Sequence, residues 1–95
     1  MRKTAKKNKT MVTFELPAEA AGDQVVVVGD FNEWSEVTNP MKRRKDGSFS
    51  VTLSLPTGRQ WRFRYLVDGR RWANDWTADS YEPNSYGSED SIVVT

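Results

Sequence analysis

The chain has 95 residues, no cysteine, no histidine and a formal net charge of +1 at neutral pH. That length suits one domain with a modest core and excludes a (β/α)8 barrel, which needs roughly 250 residues. Without Cys or His there is no disulfide framework, no thiolate metal site and no Ser-His-Asp triad, so no metal and no cofactor is expected.

Charge is unevenly spread. Five of the fourteen basic residues (Arg2, Lys3, Lys6, Lys7 and Lys9) fall in residues 1–10, which hold no acid; the rest of the chain carries nine basic and thirteen acidic residues. Residues 1–10 are therefore expected to be a flexible basic arm on a mildly acidic body spanning residues 11–95. No apolar run approaches the ~20 residues that span a bilayer. No apolar stretch follows the basic N-terminus either, so the expected protein is cytoplasmic and without a signal peptide; a monomer is also expected.

After the arm, Met11 to Leu16 alternates, with Val12, Phe14 and Leu16 on one face of a strand that Pro17 stops. Val25 to Val28 is a continuous β-branched run, suited to a strand buried on both faces. Gly29-Asp30-Phe31-Asn32 ends it with turn formers, and residues 33–40 read as a loop. Met41 to Lys45 is a short polar strand, and Asp46-Gly47 signals a hairpin. In the following strand Phe49, Val51, Leu53 and Leu55 alternate with Ser50, Thr52 and Ser54. Trp61, Phe63, Tyr65 and Val67 share a second clear strand face, Asp68-Gly69 signals another hairpin, and Arg70 to Trp72 begins the return. Residues 73–91 read as a long polar loop, and Ile92 to Val94 as the last strand. About seven short, mostly antiparallel strands and no helix predict an all-β, Ig-like β-sandwich.

Four Trp, three Tyr and four Phe are many for this length. Phe14, Phe49, Trp61, Phe63 and Tyr65 belong to alternating strands and are candidate core. Trp34, Trp72, Trp76, Tyr81 and Tyr86 lie in or beside polar loops, and a small sandwich has few places to hide five more rings. Exposed indoles near Asp, Asn and Arg suit a sugar: its C–H face lies flat on the ring, and its hydroxyl rim takes the polar partners. Base stacking needs a positive groove, which the acidic body argues against. The carboxylates that glycoside hydrolysis would need, such as Asp30, Asp75, Asp79 and Glu82, sit where turns and solvation account for them.

Val25–Trp34 (VVVVGDFNEW) resembles the opening signature of family 48 carbohydrate-binding modules, the isoamylase N-terminal or early-set domains. Matching pieces follow in order: Lys45-Asp46-Gly47-Ser48-Phe49, Leu55-Pro56-Thr57-Gly58, Tyr65-Leu66-Val67-Asp68-Gly69, Trp72, and Tyr86-Gly87-Ser88-Glu89-Asp90-Ser91-Ile92-Val93. The likeness runs from about Thr10 to Thr95, in the manner of stand-alone bacterial members. It implies an Ig-like sandwich and non-catalytic α-glucan binding, like that of the glycogen-binding domain of the AMP-activated kinase β subunit. By motif position, the resemblance implies that Trp34 and Trp72 grip the sugar and that Arg64 stands where members carry a Lys. It also implies that Tyr86, Ser88 and Asp90 line the closing loop, Asp90 standing where members carry an Asn. The alternative expectation is a scaffold module for a glucan-metabolising enzyme, without sugar affinity. Neither nucleic acid nor membrane is expected as a partner.

Overall fold

A computed structural model describes residues 1–95. In chain order the strands are β1 (Arg2–Ala5), β2 (Lys9–Leu16), β3 (Val25–Gly29), β4 (Lys42–Arg43), β5 (Phe49–Pro56), β6 (Gln60–Val67), β7 (Arg71–Ala73), β8 (Ser80–Pro83) and β9 (Glu89–Val94). All pairings between strands are antiparallel. One sheet runs β1-β2-β5-β4; the other runs β3-β6-β9-β8, with β7 beside the C-terminal half of β6. The result is a two-sheet β-sandwich. No helix is long and apolar enough to cross a membrane.

The alternating residues meet between the sheets. Val12, Phe14 and Leu16 of β2 face Phe63, Tyr65 and Val67 of β6 within one cluster of thirteen buried residues. Phe14 and Phe63 pack edge to face at 4.9 Å between centroids, and Phe63 packs on Tyr65 at 5.7 Å. Trp61 is buried as expected, and its indole N–H donates to Thr95 Oγ1. Val25 and Val27 enter this core, while Val28 is covered on the opposite face. The Asp46-Gly47 turn joins β4 to β5, with Gly47 at φ +87°, a conformation glycine adopts without a Cβ clash.

Two strands depart from expectation. Residues 1–10 are not a free arm. Arg2–Ala5 pairs in register with Thr10–Thr13 of β2, and Lys3 Nζ bonds Asp79 Oδ2 at 2.7 Å. All four β1 residues are exposed, so no apolar alternation marked the strand. Its Arg and Lys occupy the sheet edge, where charge discourages pairing with another chain. The second is β8, inside the segment expected to be a loop. Ser80–Pro83 pairs with Glu89–Ile92 at the opposite sheet edge and is largely exposed, so its sequence carries no inward-facing apolar set. Asp79 is held below its usual range: burial works to raise it, but the Lys3 ammonium and the Val94 N–H outweigh that.

Candidate functional site

Along β6 the side chains alternate, so Phe63 and Tyr65 point into the core while Arg62 and Arg64 stand on the outer face of the sheet. Leu66 pairs with Trp72 across the β6–β7 hairpin, which sets Trp72 diagonally beside Arg64. The Arg64 guanidinium lies 5.9 Å from the Trp72 ring centroid, and Trp72 is 39% exposed. Asp68 fixes this hairpin: it takes φ +53° and its Oδ1 accepts the N–H groups of Asp23 and Gln24 ahead of β3. Those two N–H bonds hold its carboxyl below the usual range.

Trp34 arrives from the far side of β6. β3 ends at Gly29, and a single 3-10 turn (Asp30–Asn32) reverses the chain. Asn32 organises that turn, accepting Gly29 N–H and donating to Val27 O and Asn39 Oδ1. Glu33 and Trp34 then take left-handed φ of 56° and 58°, which non-glycine residues adopt at a cost of ~1–3 kcal/mol. The strain is held by Trp34 N–H to Gly29 O (2.9 Å) and by the indole N–H to Asp30 Oδ1 (2.9 Å). Asp30 Oδ2 accepts the Arg62 N–H, so one carboxylate ties the indole to β6. Trp34 is half-buried, with its indole nitrogen committed to Asp30.

Gly29 is glycine because of space. A Cβ there would lie 2.4 Å from Arg62 O and 2.8 Å from Phe63 Cβ. Gly29→Ala is therefore expected to destabilise the fold by ~1–3 kcal/mol, the usual cost of overpacking against backbone. Because the Trp34 turn hangs from Gly29 O, the indole should lose its fixed place as well. Thermal melts and the tryptophan emission of this one variant check both effects.

The third wall is the β8–β9 loop. Tyr86 stands on it, 92% exposed. Asn84 builds the loop: its N–H donates to Ser88 O, and its Oδ1 accepts from Tyr86 N–H (2.9 Å) and Ser88 N–H (3.2 Å). Asp90, at the start of β9, is only 6% exposed. Its Oδ1 accepts from Asn84 Nδ2 at 3.1 Å and its Oδ2 from Arg62 Nη1 at 3.2 Å. Arg62 also donates to Glu82 Oε1 and Pro83 O.

These three walls enclose one groove of about 730 Å³, a volume that suits a small ligand. Trp34, Arg64, Trp72, Tyr86 and Asp90 all line it, together with Arg62, Asn84 and Glu36. Ser88 is on the same loop but does not line the groove. Trp76 is exposed elsewhere, and the Tyr81 hydroxyl bonds Asp75 O, so neither ring joins the groove. Arg62 and Asn84 had no assigned role in the sequence. The signal for Arg62 was its place two residues before Arg64, on the same strand face. Two arginines and two carboxylates balance in the lining, which fits an uncharged ligand. Arg64 stands apart: its Nε is buried without a hydrogen-bond partner, and no ion pair includes it. The other carboxylates weighed at the sequence level have structural partners. Asp75 is buried and accepts the Tyr65 hydroxyl and Thr77 N–H, and Asp79 holds Lys3 and Val94 N–H.

No curated protein matches the chain. Residues 9–93 match the family described as the glycogen recognition site of AMP-activated protein kinase. A recognition family of this kind implies non-catalytic glucan binding, in keeping with two indoles and an unpartnered arginine around a charge-balanced groove. The match covers nearly the whole chain, which thus belongs to that glycogen-recognition family.

Proposed function

We propose that the groove binds an α-1,4-linked glucan, with sugar rings stacked on Trp34 and Trp72 and hydroxyls bonded by Arg64. Tyr86 supplies a third apolar surface at the rim, and Ser88 adds a hydroxyl beside it. The observation that carries this reading is Arg64. Its guanidinium lines the groove beside the Trp72 ring and has no carboxylate partner. Ligand hydroxyls lying against Trp72 would receive its terminal N–H groups. The fixed fork of Arg, in place of the ammonium of Lys, favours two adjacent hydroxyls on one ring. We place the module in the cytoplasm as a monomer, a reading supported by its cysteine-free sequence and by the basic edge strand β1.

Affinity electrophoresis in gels cast with glycogen, amylose, a cellulose derivative or no polysaccharide tests the proposal. Retardation by both α-glucans and free migration in a cellulose-derivative gel is the expected result. Unretarded migration throughout, together with recovery of an amylase-resistant complex with a glucan-metabolising enzyme, would replace it with a scaffold role.

A further inference from the structure

We propose that Asp90 is a positioning residue rather than a sugar contact, and that Arg62, Asp90 and Asn84 form a clamp that presents Tyr86. The inference rests on the glucan-binding reading and adds a division of labour within it.

The argument begins with donors and acceptors. Two donors converge on the Asp90 side chain, Asn84 Nδ2 from the loop and Arg62 Nη1 from β6. A carboxylate offers two acceptor oxygens and satisfies both. An amide of the same shape offers one oxygen and one NH2, so in either orientation one contact becomes donor against donor. The position thus calls for Asp because Arg62 stands opposite it. This accounts for the departure from the Asn that the family resemblance implies at this place, without giving Asp90 a hydroxyl to bind.

Each bond in the clamp bears on one loop. Asn84 Nδ2 is held by Asp90, which orients Asn84 Oδ1 to receive the Tyr86 and Ser88 N–H groups. Arg62 grips the preceding strand through Pro83 O and Glu82 Oε1. Asn74 Nδ2 bonds Glu89 O at the loop's other end. Tyr86, almost free of contacts of its own, is thereby fixed through its backbone before any ligand arrives. A ring carried on an ordered backbone loses less freedom on binding than one on a loose loop. The clamp also neutralises Arg62 with Glu82 and Asp90 and leaves Arg64 as the groove arginine without a carboxylate partner.

The test is a double-mutant cycle read by maltoheptaose titration. Asp90→Asn is made alone and with Tyr86→Ala, and Asn84→Ala is treated the same way in case one variant folds poorly. With Tyr86 present, each change is expected to weaken affinity about tenfold, the equivalent of one lost buried hydrogen bond. In the Tyr86→Ala background each should have little further effect, because the presented ring is gone. General damage to the fold would lower affinity equally in both backgrounds and overturn the proposal. Tighter binding by Asp90→Asn would also overturn it, by showing that position 90 contacts sugar and prefers an amide. If the unmodified protein binds no maltoheptaose, the glucan reading falls and the clamp proposal falls with it. If it binds while the cycle is additive, only the clamp fails.

Discussion

Trp72→Ala is expected to lower the affinity for a linear maltooligosaccharide about thirtyfold or more, while shifting the thermal midpoint by only a few degrees. The ring is 39% exposed on the short edge strand β7, so its removal opens no cavity in the core. What is lost is the flat surface proposed to stack a sugar ring. Truncating a central aromatic anchor costs ~2 kcal/mol or more, and each ~1.4 kcal/mol is tenfold in affinity. Arg64 loses its neighbour at the same time, since its guanidinium lies over that ring. Trp76→Ala is the matched control, because Trp76 is 61% exposed but outside the groove, and its loss should leave affinity unchanged. Equal loss in both variants would detach binding from the groove. Retained binding in Trp72→Ala would remove the stacking role altogether.

A large and pH-dependent stability effect is expected at Tyr65→Phe. Tyr65 is fully buried between the sheets, and its hydroxyl donates to the buried carboxylate of Asp75. Phe keeps the ring and its packing on Phe63 but leaves Asp75 Oδ2 without that donor. The cost is ~2 kcal/mol, which for a domain of this size lowers the melting temperature by about 10 °C. The effect also carries a pH signature. Burial, then the Asp75 charge, pushes the Tyr65 hydroxyl well above its ordinary value of 10.0. A group raised in the folded state contributes fully below its unfolded pKa and loses that contribution as pH rises beyond it. The gap between wild type and Tyr65→Phe should hold constant up to pH ~10 and narrow above it. Melting curves of both proteins between neutral and alkaline pH measure the gap. A gap that stays constant through pH 11 would show that the hydroxyl is not held neutral by the fold.

How much of this was legible before the structure differs by element. β2, β5 and β6 announce themselves because each buries one face, and Phe14, Phe49, Phe63 and Tyr65 recur with period two. β1 and β8 bury almost nothing and lie at sheet edges, so their strand character comes from pairing partners distant in sequence. The groove shows the same contrast. Trp34 and Trp72 stood out as indoles in polar surroundings, and their families of neighbouring residues matched a known signature. Their convergence depends on β6 lying between β3 and β7, a fact of register that neither segment carries alone. Asp90 shows what motif position leaves out. It placed Asp90 in the closing loop, while the residues that occupy its oxygens, Asn84 and Arg62, lie 6 and 28 positions away. Which donors face a carboxylate is a tertiary property, so motif position alone does not reveal them.

The most direct test of the central claim is a titration of maltoheptaose or β-cyclodextrin into the protein, followed by tryptophan fluorescence with cellohexaose as the control. Trp34 and Trp72 line the groove while Trp61 is sealed in the core, so occupation of the groove must alter the emission of the first two. A saturable change with the α-linked sugars and none with cellohexaose is the predicted result. An unchanged spectrum up to millimolar α-linked sugar, or the same change with cellohexaose, would contradict it.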